Sequence, residues 1–413
     1  RKRATSLTII ISFWLMGLIN NGGYVIMIAG AKDIVEGAVG LVFLADVLPS
    51  FFIKLSGPSM WYHLVNYQKR ALACAVLMAG SFLCVGLSTT RGWKLLGVAL
   101  CSAQSGIGES SLLAMAGIFK SKKAITMWSS GTGFAGIFGF AWVYSLTSCG
   151  LDFSGAAFVA LCLPLVWLVV FGSLLRAQQL ETIENEEEGW KVEGVEDEPG
   201  AMADEEEEKG DAEDDRAAYL FLSTADAVGA LELTTARQSM QSKARFIASL
   251  WHYTVPLVTV YYAEYTMQAG VWSSIGFPVS DRKARASFYT WANWCYQMGV
   301  FVSRSSGMLC PISKRGLWAM PCLQILLLLF FWEVAVHQFM PKAPLLALCF
   351  GTGLIGGTVY VGCFLLIAQD SKITPDRKEL ALGAASVGDS FGILLSNITS
   401  LFVQVSLGWH GVA

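Results

Sequence analysis

Apolar residues gather into eleven runs, each long enough to cross a hydrocarbon core of about 30 Å as a helix. They cover roughly residues 7–30, 39–57, 70–88, 94–119, 123–147 and 154–176, then 246–273, 285–306, 316–336, 343–368 and 379–406. Each run predicts a transmembrane helix, so the fold class is an all-α polytopic membrane protein. A polar segment, 177–245, separates an N-terminal six-helix bundle (1–176) from a C-terminal five-helix bundle (246–413). Residues 181–215 of that segment hold 18 of the 32 Asp and Glu residues, but only Lys191 and Lys209 among the bases. Dense like charge with few aromatics predicts a mostly disordered linker.

Charge sharpens the picture. The formal net charge of −3 hides a basic membrane body, because 27 basic and 14 acidic residues lie outside 181–215. Such a body suits anionic lipid faces and anionic solutes. If the N-terminus is cytosolic, 17 Lys and Arg fall in cytosolic loops, including Arg1 to Arg3, Lys122, Lys123 and Lys314, against seven on the far side. That bias predicts a cytosolic N-terminus and linker. Six helices, a cytosolic linker and a second set form the plan of the major-facilitator architecture, whose halves rock around a midplane site. No internal repeat is visible to support the plan. The run after Arg1-Lys2-Arg3 is too long for a signal-peptide core and reads as the first membrane helix.

With 54% hydrophobic and 15% charged residues, the chain is no soluble domain. The ten cysteines lie mostly in apolar runs without a CxxC pair, so no disulfide framework, zinc site or other metal centre is expected. His63, His252, His337 and His410 sit near span ends, and no nucleophile–His pair occurs at membrane depth. Neither an enzyme nor a cofactor or nucleic-acid binder is expected.

Acids at lipid depth are costly and normally face a protein interior or a wet cavity. Four are candidates for a substrate or proton path: Asp46, Glu109, Glu264 and Asp389. In the expected architecture the first, fourth, seventh and tenth spans line the path, so Glu109 and Glu264 should face each other across it. The alternative for each is a satisfied interhelical contact. Lys54 and Arg304 lie nearer the cytosolic ends; they either snorkel to that face or attract an anion. Asn20, Asn21 and Tyr24, with Gly22 and Gly23 between, suggest a locally opened helix offering hydrogen bonds, against plain amide bonding between helices. In the fifth span, Gly131, Gly133 and Gly136 match GxGxxG by letter without the strand that dinucleotide binding needs. Close helix packing fits better, with Ser129, Ser130 and Thr132 beside the path. Tyr261, Glu264, Tyr265 and Gln268 share one face of the seventh span, which suits a hydroxylated solute; an interfacial aromatic belt competes. Tyr296 and Gln297 in the eighth span extend that surface.

The stretches Leu44–Pro49 with Ile53-Lys54-Leu55, Ser105–Glu109, Trp128–Gly133, Val255–Val258 with Tyr262–Tyr265, Gly299–Ser306 and Asp389–Gly392 carry a resemblance. They span nearly the whole membrane body, and the chain resembles the battenin family of lysosomal and vacuolar membrane proteins. The resemblance implies a major-facilitator-type protein of the lysosomal or vacuolar membrane. It also implies links to organelle pH, basic amino-acid homeostasis and clearance of glycerophosphodiesters. The chain departs from the mammalian members in its short first lumenal loop, about 31–38, and has no C-terminal prenylation Cys.

The expectation is a transporter exporting a small polar, anionic solute by alternating access, with protons and membrane lipids as further partners. The alternative is a non-transporting scaffold that regulates vacuolar pH and trafficking through partners of the 177–245 linker. Tyr219–Leu222 within that linker fits a tyrosine sorting pattern, although the same residues could begin a surface helix.

Overall fold

A computed structural model describes residues 2–34, 39–57, 64–118, 122–193, 240–278 and 280–410. In chain order the helices of the first half are α1 (Lys2–Ala29), α2 (Ala31–Ile34), α3 (Val39–Ser56), α4 (Tyr67–Leu87), α5 (Arg91–Ile118), α6 (Lys122–Ser148), α7 (Phe153–Val159) and α8 (Cys162–Glu193). The second half holds α9 (Met240–Ser249), α10 (Trp251–Tyr265), α11 (Arg282–Ser305), α12 (Lys314–His337), α13 (Lys342–Gln369), α14 (Pro375–Ala385) and α15 (Val387–His410). No strand occurs among the described residues.

Local chemistry sets the ends. Asn66 caps α4 by accepting the Lys69 N–H at 3.0 Å, and Ser313 caps α12 by accepting that of Gly316 at 3.1 Å. Gln338 stops α12 in the left-handed region at φ 50°, and Gly150 turns the chain after α6 at φ 93°. Beyond Tyr265, α10 widens into a π-helical turn, Thr266–Val271.

Among the described residues, six stretches are long and apolar enough to cross a membrane: Ser6–Ala29, Tyr67–Leu87, Phe153–Leu180, Lys314–His337, Lys342–Gln369 and Arg377–Leu407. Of the other helices, α3, α5, α10 and α11 carry Lys54, Glu109, Glu264 and Arg304. Outward faces present Val76, Leu165, Val169, Leu326 and Phe402, all strongly exposed, as a lipid-facing surface requires.

Packing pairs the halves. In the first, α1 lies on α6 and α3 on α5; in the second, α10 lies on α15 and α11 on α13. The α1–α6 contact is close because a Cβ on Gly131 would overlap the Trp14 carbonyl, and one on Gly17 that of Trp128. The GxGxxG letters are thus a helix-packing surface. Between the halves, α3 meets α15 and α6 meets α11.

Two expectations need correction. The helix expected to end near 176 continues to Glu193, and α9 begins at Met240, so both ends of the 177–245 segment are helical. Strong helix formers fill the stretch after 176, and without lipid to limit it the helix runs on. The rest of the acidic run and the Tyr219–Leu222 pattern lie outside the described residues. The second correction is at Asn20–Tyr24, where α1 is continuous instead of opened; the amides bond to a neighbouring helix.

Candidate functional site

Lys54 is the centre of a buried ion network. Its ammonium lies 2.6 Å from Glu109 Oε2 on α5, and 2.9 and 3.1 Å from the two carboxylate oxygens of Asp389 on α15. Lysine and glutamate come from the first half and the aspartate from the second, so the ammonium ties the halves together. Tyr360 on α13 donates to the other Glu109 oxygen at 2.5 Å, and Trp128 on α6 donates to the Tyr360 hydroxyl at 3.4 Å. Asp389 Oδ1 also accepts from the Ser390 N–H and hydroxyl. The side chains of Lys54, Glu109 and Asp389 are only 3, 5 and 9% exposed. Charges so desolvated persist when paired and further hydrogen-bonded, as these are.

With all three ionised, the trio carries one net negative charge. Arg304 on α11 supplies a cation beyond Tyr360, with its guanidinium carbon 3.9 Å from that ring's centroid. It donates to Thr132 on α6 at 2.7 Å and to Tyr261 on α10 at 2.6 Å. Its partners are hydroxyls and a ring face; no carboxylate lies within ion-pair distance of it among the described residues.

These groups line a cavity of about 60 Å³. Helical periodicity aims each contributor: Asn21, Tyr24 and Ile28 at i, i+3 and i+7 of α1; Asp46, Ser50 and Lys54 at i, i+4 and i+8 of α3; Tyr261 and Tyr265 at i and i+4 of α10. Ser105, Glu109, Asp389 and Ser390 complete the polar wall. One water needs roughly 10–15 Å³ on this measure, so the space holds a handful.

Of the residues singled out from sequence, the structure brings Asn21, Tyr24, Asp46, Lys54, Glu109, Tyr261, Tyr265, Arg304 and Asp389 to this one chamber. Lys54 and Arg304 do not snorkel: both are buried, at 2% and 8% exposure. Glu264 is not in the chamber wall and does not face Glu109 there. It accepts from Tyr296 at 3.1 Å, and its other oxygen lies where a Cβ on Gly356 would be. The polar face expected on the seventh span therefore divides: Tyr261 and Tyr265 line the cavity, whereas Glu264 bonds Tyr296 of α11. Gln268, inside the π-helical turn, bonds Asn293 instead. Asn20 bonds the Ser105 carbonyl and accepts from Gln104, which leaves Asn21 to the cavity. Ser130 accepts from Trp14 and bonds Ser305; Ser129 is buried in α6. Gln297 fills the space over Gly136, and Thr132 reaches the site only through Arg304. Sequence reasoning missed Tyr360. A phenol in the Gly-rich stretch of the tenth span, one of the spans expected to line the path, was the available signal.

Paired helices around a buried polar chamber define a membrane protein of the major-facilitator fold. A solved major-facilitator structure, the proton:xylose symporter XylE, superposes with a TM-score of 0.61 at 11% identity, covering 100% of this chain and 94% of that one. The fold is therefore that of the major-facilitator structures. The chain itself belongs to the CLN3 protein family, whose model matches residues 11–409. Protein BTN1 of Chaetomium globosum is 36% identical over 98% of this chain and 89% of its own length. Battenin of Canis lupus familiaris is 31% identical over 95% and 89%. With its membrane-length helices, that membership makes the chain a multi-pass protein of the lysosomal or vacuolar membrane, the location the resemblance implied.

Proposed function

We propose that this chain is a transporter of the acidic organelle that exports a small polar, anionic solute of glycerophosphodiester type by alternating access. On this reading it contributes to organelle pH and basic amino-acid homeostasis through that flux. The observation that carries the proposal is the ion network at the seam. Lys54 is shared between Glu109 of its own half and Asp389 of the other, at the edge of a chamber that also holds Arg304. A purely structural ion pair needs neither a cavity nor a second buried cation. The two halves move as the bundles 1–176 and 246–413, with the N-terminus and the linker in the cytosol. Arg304 attracts the anion, and Glu109 and Asp389 carry the proton that accompanies it.

The test is efflux of a labelled glycerophosphodiester from acid-loaded vesicles containing the purified protein. Glu109→Gln should slow efflux at least tenfold while the folded protein is recovered in normal yield. Efflux at the wild-type rate would remove Glu109 from the mechanism.

A further inference from the structure

Within the chamber, Asp46 stands apart from the ion network. It lies eight residues before Lys54 on α3, about 12 Å along the helix axis. Asp46 lines the cavity and is 9% exposed. Its Oδ1 has no hydrogen-bond partner, and no Lys or Arg stands within ion-pair distance, among the described residues. Native folds leave few buried polar atoms without a partner, and those they leave are often completed by something outside the chain. Glu109 and Asp389 are not free in this sense, because Lys54 holds both. The chamber therefore has a free anionic end at Asp46, on a helix of the first half. Its cationic end is Arg304, on a helix of the second, bonded to hydroxyls but, among the described residues, to no carboxylate.

We propose that Asp46 docks an ammonium group, so that the chamber selects solutes carrying both an ammonium and an anionic group, with the anion at Arg304. This rests on the transport reading above and adds to it the identity of the second pole. The wall near Asp46 favours an ammonium over a metal ion. Tyr24, Phe43 and Tyr265 line the same cavity, and aromatic rings attract organic cations. Hard metal ions take six or more oxygen ligands, whereas among the described residues no group of three His, Cys, Asp or Glu side chains could hold one.

The experiment uses the purified 413-residue chain in liposomes and two phosphodiesters that share one anionic end. Glycerophosphoethanolamine carries an ammonium, and glycerophosphoglycerol carries a hydroxyl in its place. Wild type should take up the first about tenfold faster at limiting concentration, which corresponds to about 1.4 kcal/mol of discrimination. Asp46→Asn should bring the ratio close to one, by slowing uptake of glycerophosphoethanolamine more than that of glycerophosphoglycerol. Asp46→Glu, which keeps the charge, should retain a preference. If Asp46→Asn does not fold, Asp46→Ser carries the same expectation, and thermal stabilisation by each compound gives an independent reading of binding. Equal slowing of both compounds by the neutral variants would overturn the docking role and leave transport standing. A wild-type chain that neither moves nor binds either compound would overturn the transport reading, and the docking role with it.

Discussion

Replacing Lys54 with methionine isolates the energy of the ion network. Methionine keeps the unbranched stem and most of the volume and removes the charge. Glu109 Oε2 and Asp389 Oδ1 lie 2.6 and 2.9 Å from the ammonium, so they are at most about 5.5 Å from each other. At an effective dielectric constant of about 20, two charges at that distance repel by roughly 3 kcal/mol once the lysine is gone. Removing one partner of a buried pair costs about 3–5 kcal/mol by direct comparison, the same range. For a chain of this size the melting temperature should fall by roughly 3–6 °C. Cys74, Cys101, Cys349 and Cys363 are free and buried, so a thiol-reactive dye reports unfolding in detergent directly. The triple variant Lys54→Met/Glu109→Gln/Asp389→Asn carries no stranded charge and should recover most of the loss. A fall of less than 2 °C in Lys54→Met, or a triple variant less stable than the single one, would refute the pairing energetics.

Three further outcomes can be checked. Gly131→Ala should destabilise by about 1–3 kcal/mol, because its methyl meets the Trp14 carbonyl, whereas Gly351→Ala, with open space around it, should be neutral or slightly stabilising by the same thermal assay. Asp370 closes α13; burial works against its ionisation, but bonds from Tyr253 (2.5 Å), the Lys372 N–H (3.1 Å) and Lys314 (3.0 Å) bring its carboxyl down to about 2. Its contribution is complete above the ordinary carboxylate value of about 3.9 and is lost as pH falls through about 2, so the melting gap between wild type and Asp370→Asn should close between pH 4 and pH 2. Deleting residues 181–215 should leave efflux within about twofold, whereas a scaffold acting through the acidic linker would lose its effect on vacuolar pH; at the usual conversion, twofold is only about 0.4 kcal/mol of barrier.

The helices were readable because lipid-length apolar runs need no knowledge of partners. Each backbone bond closes within its own segment, so a stretch of sequence signals helix without its partners, although three of the runs each divide into two helices. Burial of charge was readable in the same way: Asp46, Glu109 and Asp389 stand out against apolar neighbours. The partners were not readable. Lys54 meets Glu109 and Asp389 at separations of 55 and 335 residues, and nothing local to Lys54 distinguishes a buried lysine from one that snorkels. Glu264 went the other way, since facing depends on the rotation of its helix, and it meets Tyr296. The amides of α1 illustrate the same limit. Glycine beside Asn20 and Asn21 is compatible with an opened helix or a packed one, and the neighbouring α5, through Gln104 and Ser105, decides for the packed one.

The size of the chamber constrains how such a protein could work. About 60 Å³ accommodates a few waters and is too small for a glycerophosphodiester, so the proposed cycle requires the halves to part. At the end of the bundle that carries the start of α4 and the end of α5, the two halves pack together. There α14 packs on α5, Leu382 lies over Gly117, and the Tyr67 hydroxyl donates to Glu379. Above that contact, opening must break Lys54–Asp389, Tyr360–Glu109 and Arg304–Thr132, which all join one half to the other. Parting the first of these bares a carboxylate in a low-dielectric space, which is expensive unless another positive charge arrives. A proton on Asp389 meets that need. A solute anion seated at Arg304 loosens the third contact by competing with Thr132. Solute and proton would then act on different bonds of one seam, and neither alone would release it. On the proposed cycle, coupling would consist of separate charges, each cancelling a different part of the cost of opening.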